Sequence, residues 1–407
     1  MNLRTITTLG VLLAACRSGP EPSDESALRA QARRVHADAI VIDTHSDTTP
    51  KFENADWDFT VRHETGHMDI PRIREGGLDA IFFSIYMGRT EGDGAAVKTA
   101  IRRIDSVHEA VRRWPNDLRL ATTAAEVRAA AADGMIAALM GVEGGHIIED
   151  DLRVLRTYYR LGVRYMTLTH SFNTAWADSA GTDRIPEPEH DGLTDFGREI
   201  VLEMNRLGMM VDVSHVADST FWDVLLVSEA PLVASHSSCR AVSDHPRNMS
   251  DEMIVAMAER GGVIQINFAT GYIDPRKSAL AARLRPEVEE IYARYPDDPR
   301  EARKQRIALY AEHDPGPTPA SVVIDHIEHV LTLVGEDHVG LGADWDGVPE
   351  LPVGLDDCSK LETVTLELLR RGWSEDAVTK VLGGNLLRVM EEVEATGARL
   401  RREGDSR

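Results

Sequence analysis

The chain has 407 residues, 45 Lys and Arg against 67 Asp and Glu, a formal net charge of −22, and 43% hydrophobic but only 5% aromatic residues. This is the composition of a globular protein with a large core. So acidic a balance excludes nucleic-acid binding through phosphate contacts and docking on anionic lipid by charge, and no internal apolar run reaches the ~18–20 residues of a membrane span.

The first 16 residues read MNLRTITTLGVLLAAC. Arg4 precedes an apolar stretch over residues 6–15, too short to cross a bilayer and of secretory-signal type. It ends Leu13-Ala14-Ala15-Cys16, which resembles the bacterial lipoprotein box, cut before the cysteine that then carries the lipid. On this reading residues 1–15 are a signal peptide, 16–34 the lipidated Cys16 and a flexible tether, 35–394 the folded domain, and 395–407 a polar C-terminal tail. Attachment would be to the membrane through that N-terminal lipid, in the bacterial cell envelope on the periplasmic side. Cys239 and Cys358 remain in the body, and whether they pair depends on their Cα separation.

Short apolar runs at 40–42, 80–86, 136–142, 165–168, 209–213, 232–234, 262–267 and 339–341 have the length of buried parallel strands. Helical patterns lie between them at 95–114, 151–161, 194–207, 218–228, 250–260 and 320–334. Thr194, Asp218 and Ser250 stand at N-cap positions, and Gly162, Gly208, Gly261 and Gly335 where helices should stop. Eight strands alternating with helices predict an α/β fold, a (β/α)8 TIM barrel. The competing doubly wound sheet has no G-x-G-x-x-G or P-loop after its first strand to support it. Residues 270–318 form a long charged insertion between the seventh and eighth strands with room for a helix or two. It is either a cover for the active-site mouth or a surface elaboration. Helical patterns over 359–394 close the barrel.

The residues after the strands carry the chemistry. Asp43-Thr44-His45-Ser46-Asp47 follows the first, Gly141-Val142-Glu143-Gly144-Gly145-His146 the third, Thr169-His170-Ser171 the fourth, Ser214-His215 the fifth, Ser235-His236-Ser237 the sixth and Gly342-Ala343-Asp344-Trp345-Asp346 the eighth. In a barrel these ends converge on one face. Imidazole with carboxylate suits zinc or another first-row divalent ion. His45 and Asp47 point the same way on an extended strand end, His215 and His236 come from adjacent strands, and Glu143 has two oxygens to bridge a pair of ions. His67, His146, His190 and Asp346 read as structural, and Trp57 and Trp176 as packing residues that could also line a pocket.

The motifs IDTHSD, GVEGGH, RYMTLTHSFNTAWAD, NRLGMMVDVSHV, SHSSCRAV…HPRNMSDE and GLGADWDGVP, in this order over residues 35–394, resemble the membrane dipeptidase (renal-dipeptidase-like) family of zinc metallopeptidases. The resemblance implies a barrel of the metal-dependent amidohydrolase type, two Zn2+ per chain, and hydrolysis of dipeptides, including those with a C-terminal D-residue, with carbapenem-type β-lactams opened by some members. Carried over by motif, His45 and Asp47 bind the first zinc, Glu143 bridges, and His215 and His236 bind the second. His170 contacts substrate and steadies the oxyanion, Asp344 is the acid/base carboxylate, and Arg247, assisted by Tyr272, pairs with the substrate carboxylate. The implied nucleophile is a hydroxide bridging the two zinc ions. A homodimer is also implied. The chain departs from the mammalian enzymes in its longer insertion and in a polar C-terminus, LRREGDSR, with no hydrophobic tail for a C-terminal lipid anchor. The alternatives are a cyclic-amide or lactone hydrolase on the same binuclear barrel, or a lipid-tethered binding protein without catalysis.

Overall fold

The computed structural model describes residues 22–405 apart from 55, 90, 91, 93 and 183. Residues 1–15, expected to be a signal peptide, and Cys16 lie outside the described residues. Among the described residues nine strands are present: β1 Ile42–Ser46, β2 Ala80–Tyr86, β3 Leu118–Leu120, β4 Ile136–Glu143, β5 Val163–Thr167, β6 Met210–Asp212, β7 Val233–Ser237, β8 Val263–Ile266 and β9 Val339–Leu341. Eight of them run in the order β1-β2-β4-β5-β6-β7-β8-β9, every pair parallel. The ring closes where Asp47 N donates to Trp345 O at 2.7 Å and Asp344 N to His45 O at 3.1 Å. The result is the expected (β/α)8 barrel, and its seam is sewn by residues of the candidate site. The ninth strand, β3, lies off the ring and pairs only with the first residues of β4.

Alternation sets the layers. Ile42, Phe82, Leu139, Tyr165, Met210, Val233 and Val263 fill the barrel, and Leu386, Leu387 and Met390 of helix Asn385–Asp405 join the same cluster. Their strand neighbours, such as Ile81, Phe83, Ala138, Met166 and Ile264, pack outward under the helices. Both faces are therefore buried, which is why all eight residues of β4 are buried and the strands read as continuous apolar runs. Thr194 and Ser250 cap their helices through the side chain, and Gly162, Gly208, Gly261 and Gly335 all have positive φ at helix ends. Asp218 is no cap. It is the first residue of its helix and pairs with Arg240 at 2.7 Å.

Two boundaries need correction. The tether drawn over residues 16–34 is helical from Pro22, in helix Pro22–Asp38. Ala32 and Val35 of that helix are buried in the core, and Arg34 pairs with Glu375, so the apolar spacing outweighs the polar composition. The tail drawn over 395–407 is not separate either, since helix Asn385–Asp405 runs through it. Gly397 is held against Gly208 so closely that a Cβ would meet its Cα at 2.6 Å.

The insertion carries helices Thr270–Ile273, Pro275–Arg294 and Pro299–Glu312. Lys277 pairs with Glu350 beyond β9, Ser278 donates to the Asp244 carbonyl beyond β7, and Tyr292 packs 5.3 Å from the Arg184 guanidinium beyond β5. These contacts anchor it to three loops that follow the C-terminal ends of barrel strands.

Candidate metal centre and active site

The sequence places its donors after the strands. The structure places His45 and His236 inside β1 and β7, and Glu143 as the last residue of β4. All five expected metal ligands meet at the C-terminal end of the barrel. Glu143 is the hub: Oε2 lies 3.4 Å from His45 Nε2, and Oε1 lies 3.1 Å from His215 Nε2 and 3.4 Å from His236 Nε2. Asp47 Oδ2 is 3.6 Å from His45 Nε2. Three overlapping groups converge within 4.8 Å, His45–Glu143–His236, Glu143–His170–His215 and His45–Asp47–Asp344.

Hydrogen-bond direction tests whether cations fit here. Tyr165 gives its proton to Thr44 O at 3.1 Å, so it accepts from His45 Nδ1–H at 2.8 Å. Ser235 gives its proton to Asp212 Oδ2 at 2.6 Å, so it accepts from His236 Nδ1–H at 2.8 Å. Both imidazoles are thereby set with an Nε2 lone pair turned on carboxylate oxygens. His45 Nε2 and Asp47 Oδ1 are buried without a hydrogen-bond partner. Lone pairs facing carboxylates are satisfied by a cation between them, and neutral imidazole with carboxylate is a zinc-type donor set. The residues present therefore fit divalent metal cations.

The electrostatics agree. Burial alone would raise the Glu143 carboxyl, but His45 and His170 hold it well below its ordinary range. Burial works against a charge on His45 too, yet Tyr165, Glu143 and Asp47 drive it well above the usual histidine value, and the field that draws a proton there would draw a metal cation. Burial and the neighbouring cationic groups push His215 and His236 well below theirs, leaving them neutral and ready to ligate.

Asp344 and His215 both adopt left-handed backbone, with φ of 66° and 67°, a conformation costly for non-glycine residues and concentrated at functional sites. Asp344 is buried and accepts from Asn267 Nδ2 at 3.1 Å. Burial raises its carboxyl to about 7, with Asp47 and Glu143 adding and His45 opposing, which suits a group that exchanges protons near neutrality. Gly347 makes the arrangement sterically possible: a Cβ there would lie 2.2 Å from both Asp344 Oδ1 and Asp47 Oδ2.

His170 sits beside Glu143 at 3.5 Å, its side chain 17% exposed against 5% for His215 and 1% for His236. It is the most exposed of these three histidines, and burial lowers its pKa against the pull of Glu143. Arg247 is 3% exposed, and its charge has no ion pair among the described residues. Nη2 donates to His236 O at 3.2 Å, while Nε and Nη1 are buried without partners. Tyr272 packs 5.6 Å from this guanidinium, and burial pushes its hydroxyl up to about 12.

Sequence reasoning passes over four residues of the site. Tyr86 ends β2 with its ring centroid 4.7 Å from that of His170, and Asn267, Tyr165 and Asp212 support Asp344, His45 and His236. The available signals were the inward alternation of Tyr165 and the polar residue closing the seventh apolar run. His67, His146 and His190 make backbone hydrogen bonds, as structural residues should. Cys239 and Cys358 are both buried free thiols.

The membrane dipeptidase family (Peptidase family M19) matches residues 29–404. The dipeptidase verJ of Clonostachys rogersoniana is 34% identical over 391 residues, covering 92% of this chain and 89% of that protein. Among solved structures, the probable dipeptidase PvdM of Pseudomonas aeruginosa is similar with a TM-score of 0.80 at 26% identity, over 92% of this chain and 100% of that one. A metallopeptidase of Rhodobacter sphaeroides, liganded with a phosphinate mimic of L-Ala-D-Ala, has a TM-score of 0.71 at 27% identity, over 87% of this chain and 99% of that one.

Proposed function

The chain belongs to the membrane dipeptidase family of metallopeptidases, and on that premise we propose that it hydrolyses dipeptides, including those with a C-terminal D-residue, at a centre of two zinc ions. The observation that carries the substrate class is Arg247, a buried cation with two unpartnered donor nitrogens at the edge of the donor cluster. Such a group needs an anion, and the free carboxylate of a short peptide supplies one. A neutral cyclic amide or lactone would leave those donors unsatisfied, which weighs against the alternative hydrolase reading. The preference for a C-terminal D-residue draws on the ligand of the Rhodobacter sphaeroides neighbour.

His45 and Asp47 would hold one ion, His215 and His236 the other, and Glu143 both. Divalent ions bound there lower the pKa of water and polarise a carbonyl. The chain's own residues do the rest. Arg247 and Tyr272 fix the carboxylate end and so set the scissile bond over the cluster. Asp344, beside Asp47 and steadied by Asn267, takes the proton of the attacking water and returns it to the leaving amine. His170 donates to the oxygen on which charge develops. The insertion helices cover the mouth and keep bulk water out.

Attachment to the bacterial cell envelope through a lipid on Cys16 is part of the same reading and rests on the Leu13-Ala14-Ala15-Cys16 motif. The homodimer is tested by light scattering of residues 17–407. The deciding experiment is hydrolysis of L-Ala-D-Ala by that protein loaded with zinc, with and without a chelator. Chelator-sensitive release of alanine is expected. No release of alanine from protein verified to hold two metals per chain would reject this substrate.

A further inference from the structure

Asp212, the last residue of β6, is fully buried and forms no ion pair among the described residues. Its carboxylate is held by hydrogen bonds alone. Oδ1 accepts from Ser214 N at 3.0 Å and Ser235 N at 2.8 Å. Oδ2 accepts from Ser235 Oγ at 2.6 Å and from Thr167 Oγ1. The register between β6 and β7 holds a single residue pair, Asp212 with Val233, where β7 and β8 have three. The side chain stands in for missing rungs of the ladder, an expensive way to join two strands if joining were its only use.

What the carboxylate adds is direction. Ser235 Oγ has one proton, and Asp212 takes it. The hydroxyl can then only accept from His236 Nδ1, which leaves His236 with its lone pair on Nε2, facing Glu143 Oε1 at 3.4 Å and His215 Nε2 at 2.8 Å. The same carboxylate holds Ser214 N, and Ser214 Oγ accepts from His236 N at 2.9 Å. The next residue is the left-handed His215, whose own Nδ1 is buried without a partner. On this side of the centre, the one anchored imidazole depends on Asp212. On the other side, His45 is set separately by Tyr165.

We propose that Asp212, acting through Ser235, is a positioning residue that fixes the tautomer of His236 and thereby governs cation affinity on the His215–His236 side of the centre. The inference rests on the metallopeptidase reading above. It makes two substitutions differ in kind. Ser235→Ala removes the relay and leaves His236 free to choose its tautomer. Asp212→Asn is nearly isosteric but inverts the relay: the amide would donate to Ser235 Oγ, the hydroxyl would turn its proton to His236 Nδ1, and Nε2 would carry hydrogen toward Glu143.

The test is titration of metal-free protein with cobalt(II), read by its visible d–d absorption and by bound equivalents. Wild type is expected to take two. In Ser235→Ala one of the two steps should weaken by about 10- to 100-fold, the usual effect of losing an outer hydrogen-bond partner of a metal-bound histidine, while the other step keeps its affinity and spectrum. Asp212→Asn should weaken the same step further, Ser235→Thr should restore it, and Tyr165→Phe should weaken the complementary step. Two cobalt steps of wild-type affinity in both Ser235→Ala and Asp212→Asn would overturn the proposal. So would equal weakening of both steps, which marks a general loss of packing. Wild-type protein that takes up no cobalt would refute the metal reading itself.

Discussion

The carboxylate role of Arg247 yields a quantitative expectation. Two of its nitrogens, Nε and Nη1, are buried and unpartnered, and only Nη2 is spent on the His236 carbonyl. A hydrogen bond to a charged group contributes about 1.5–3 kcal/mol, so two of them are worth about 3–6 kcal/mol of substrate binding. At 1.36 kcal/mol per factor of ten this is roughly 10²- to 10⁴-fold in kcat/KM. Arg247→Met keeps an unbranched apolar stem and removes the guanidinium with its charge, and should lower kcat/KM for L-Ala-D-Ala by that factor, mainly through KM. The decisive comparison adds the dipeptide amide, which has no carboxylate. Wild type should prefer the acid by a similar factor, and the variant should lose most of that preference. Initial rates of the two enzymes on the two substrates complete the cycle. A variant that still prefers the acid as strongly as wild type would refute the reasoning, because the discrimination would then come from another group.

Asp344→Asn keeps the volume, the acceptor for Asn267 and a residue type tolerant of left-handed backbone. It should retain both metals by elemental analysis while kcat falls by about 10²–10⁴, and undiminished kcat would remove the acid/base assignment. Gly347→Ala would put a Cβ 2.2 Å from both Asp47 Oδ2 and Asp344 Oδ1. The forced shift should cost on the order of 100-fold in kcat/KM, and a wild-type rate would show that the two carboxylates need not be this close. His326 provides a pH test. Cys239 N donates to its Nδ1 and its Nε2 donates to Ile273 O, each at 3.0 Å. Burial lowers its pKa from 6.5 to about 4. The folded state therefore resists protonation more than the unfolded state, so the stabilisation is present above pH 6.5 and fades as pH falls toward 4. By linkage the loss is about 2.5 kcal/mol at pH 4.5. Urea denaturation of metal-free protein at pH 7 and pH 4.5 should show this loss in wild type but not in His326→Gln. Equal acid sensitivity in both would assign the effect to other buried groups.

The barrel and its metal donors were legible because both are written locally. An apolar run of strand length followed at once by His, Asp or Glu states both the strand and the chemistry at its end, and a closed parallel barrel brings six such junctions together on one face. Boundaries were less legible where strand residues are polar. β1 runs on through Asp43, Thr44 and His45, which do not read as a strand until their partners are known: Asp43 accepts from Ala343 N, and Thr44 donates to Leu341 O. β3 is only Leu-Arg-Leu, too short for a period. The insertion showed its length and charge but not what it covers, because its anchors lie on loops beyond β5, β7 and β9.

By itself the sequence determined the fold class, the kind of donor at each strand end and the order in which those donors occur. Tertiary structure alone decided which nitrogen of each histidine faces the centre, which backbone is left-handed, how near Asp344 stands to Asp47, and that Arg247 is buried without an ion pair among the described residues. The physical reason is separation along the chain. His45 is set by Tyr165, 120 residues away, and the seam beside it is closed through Ala343, 300 residues from Asp43. A tautomer, a depressed carboxyl or an unpaired guanidinium belongs to the set of groups surrounding it, and that set exists only once the barrel has closed.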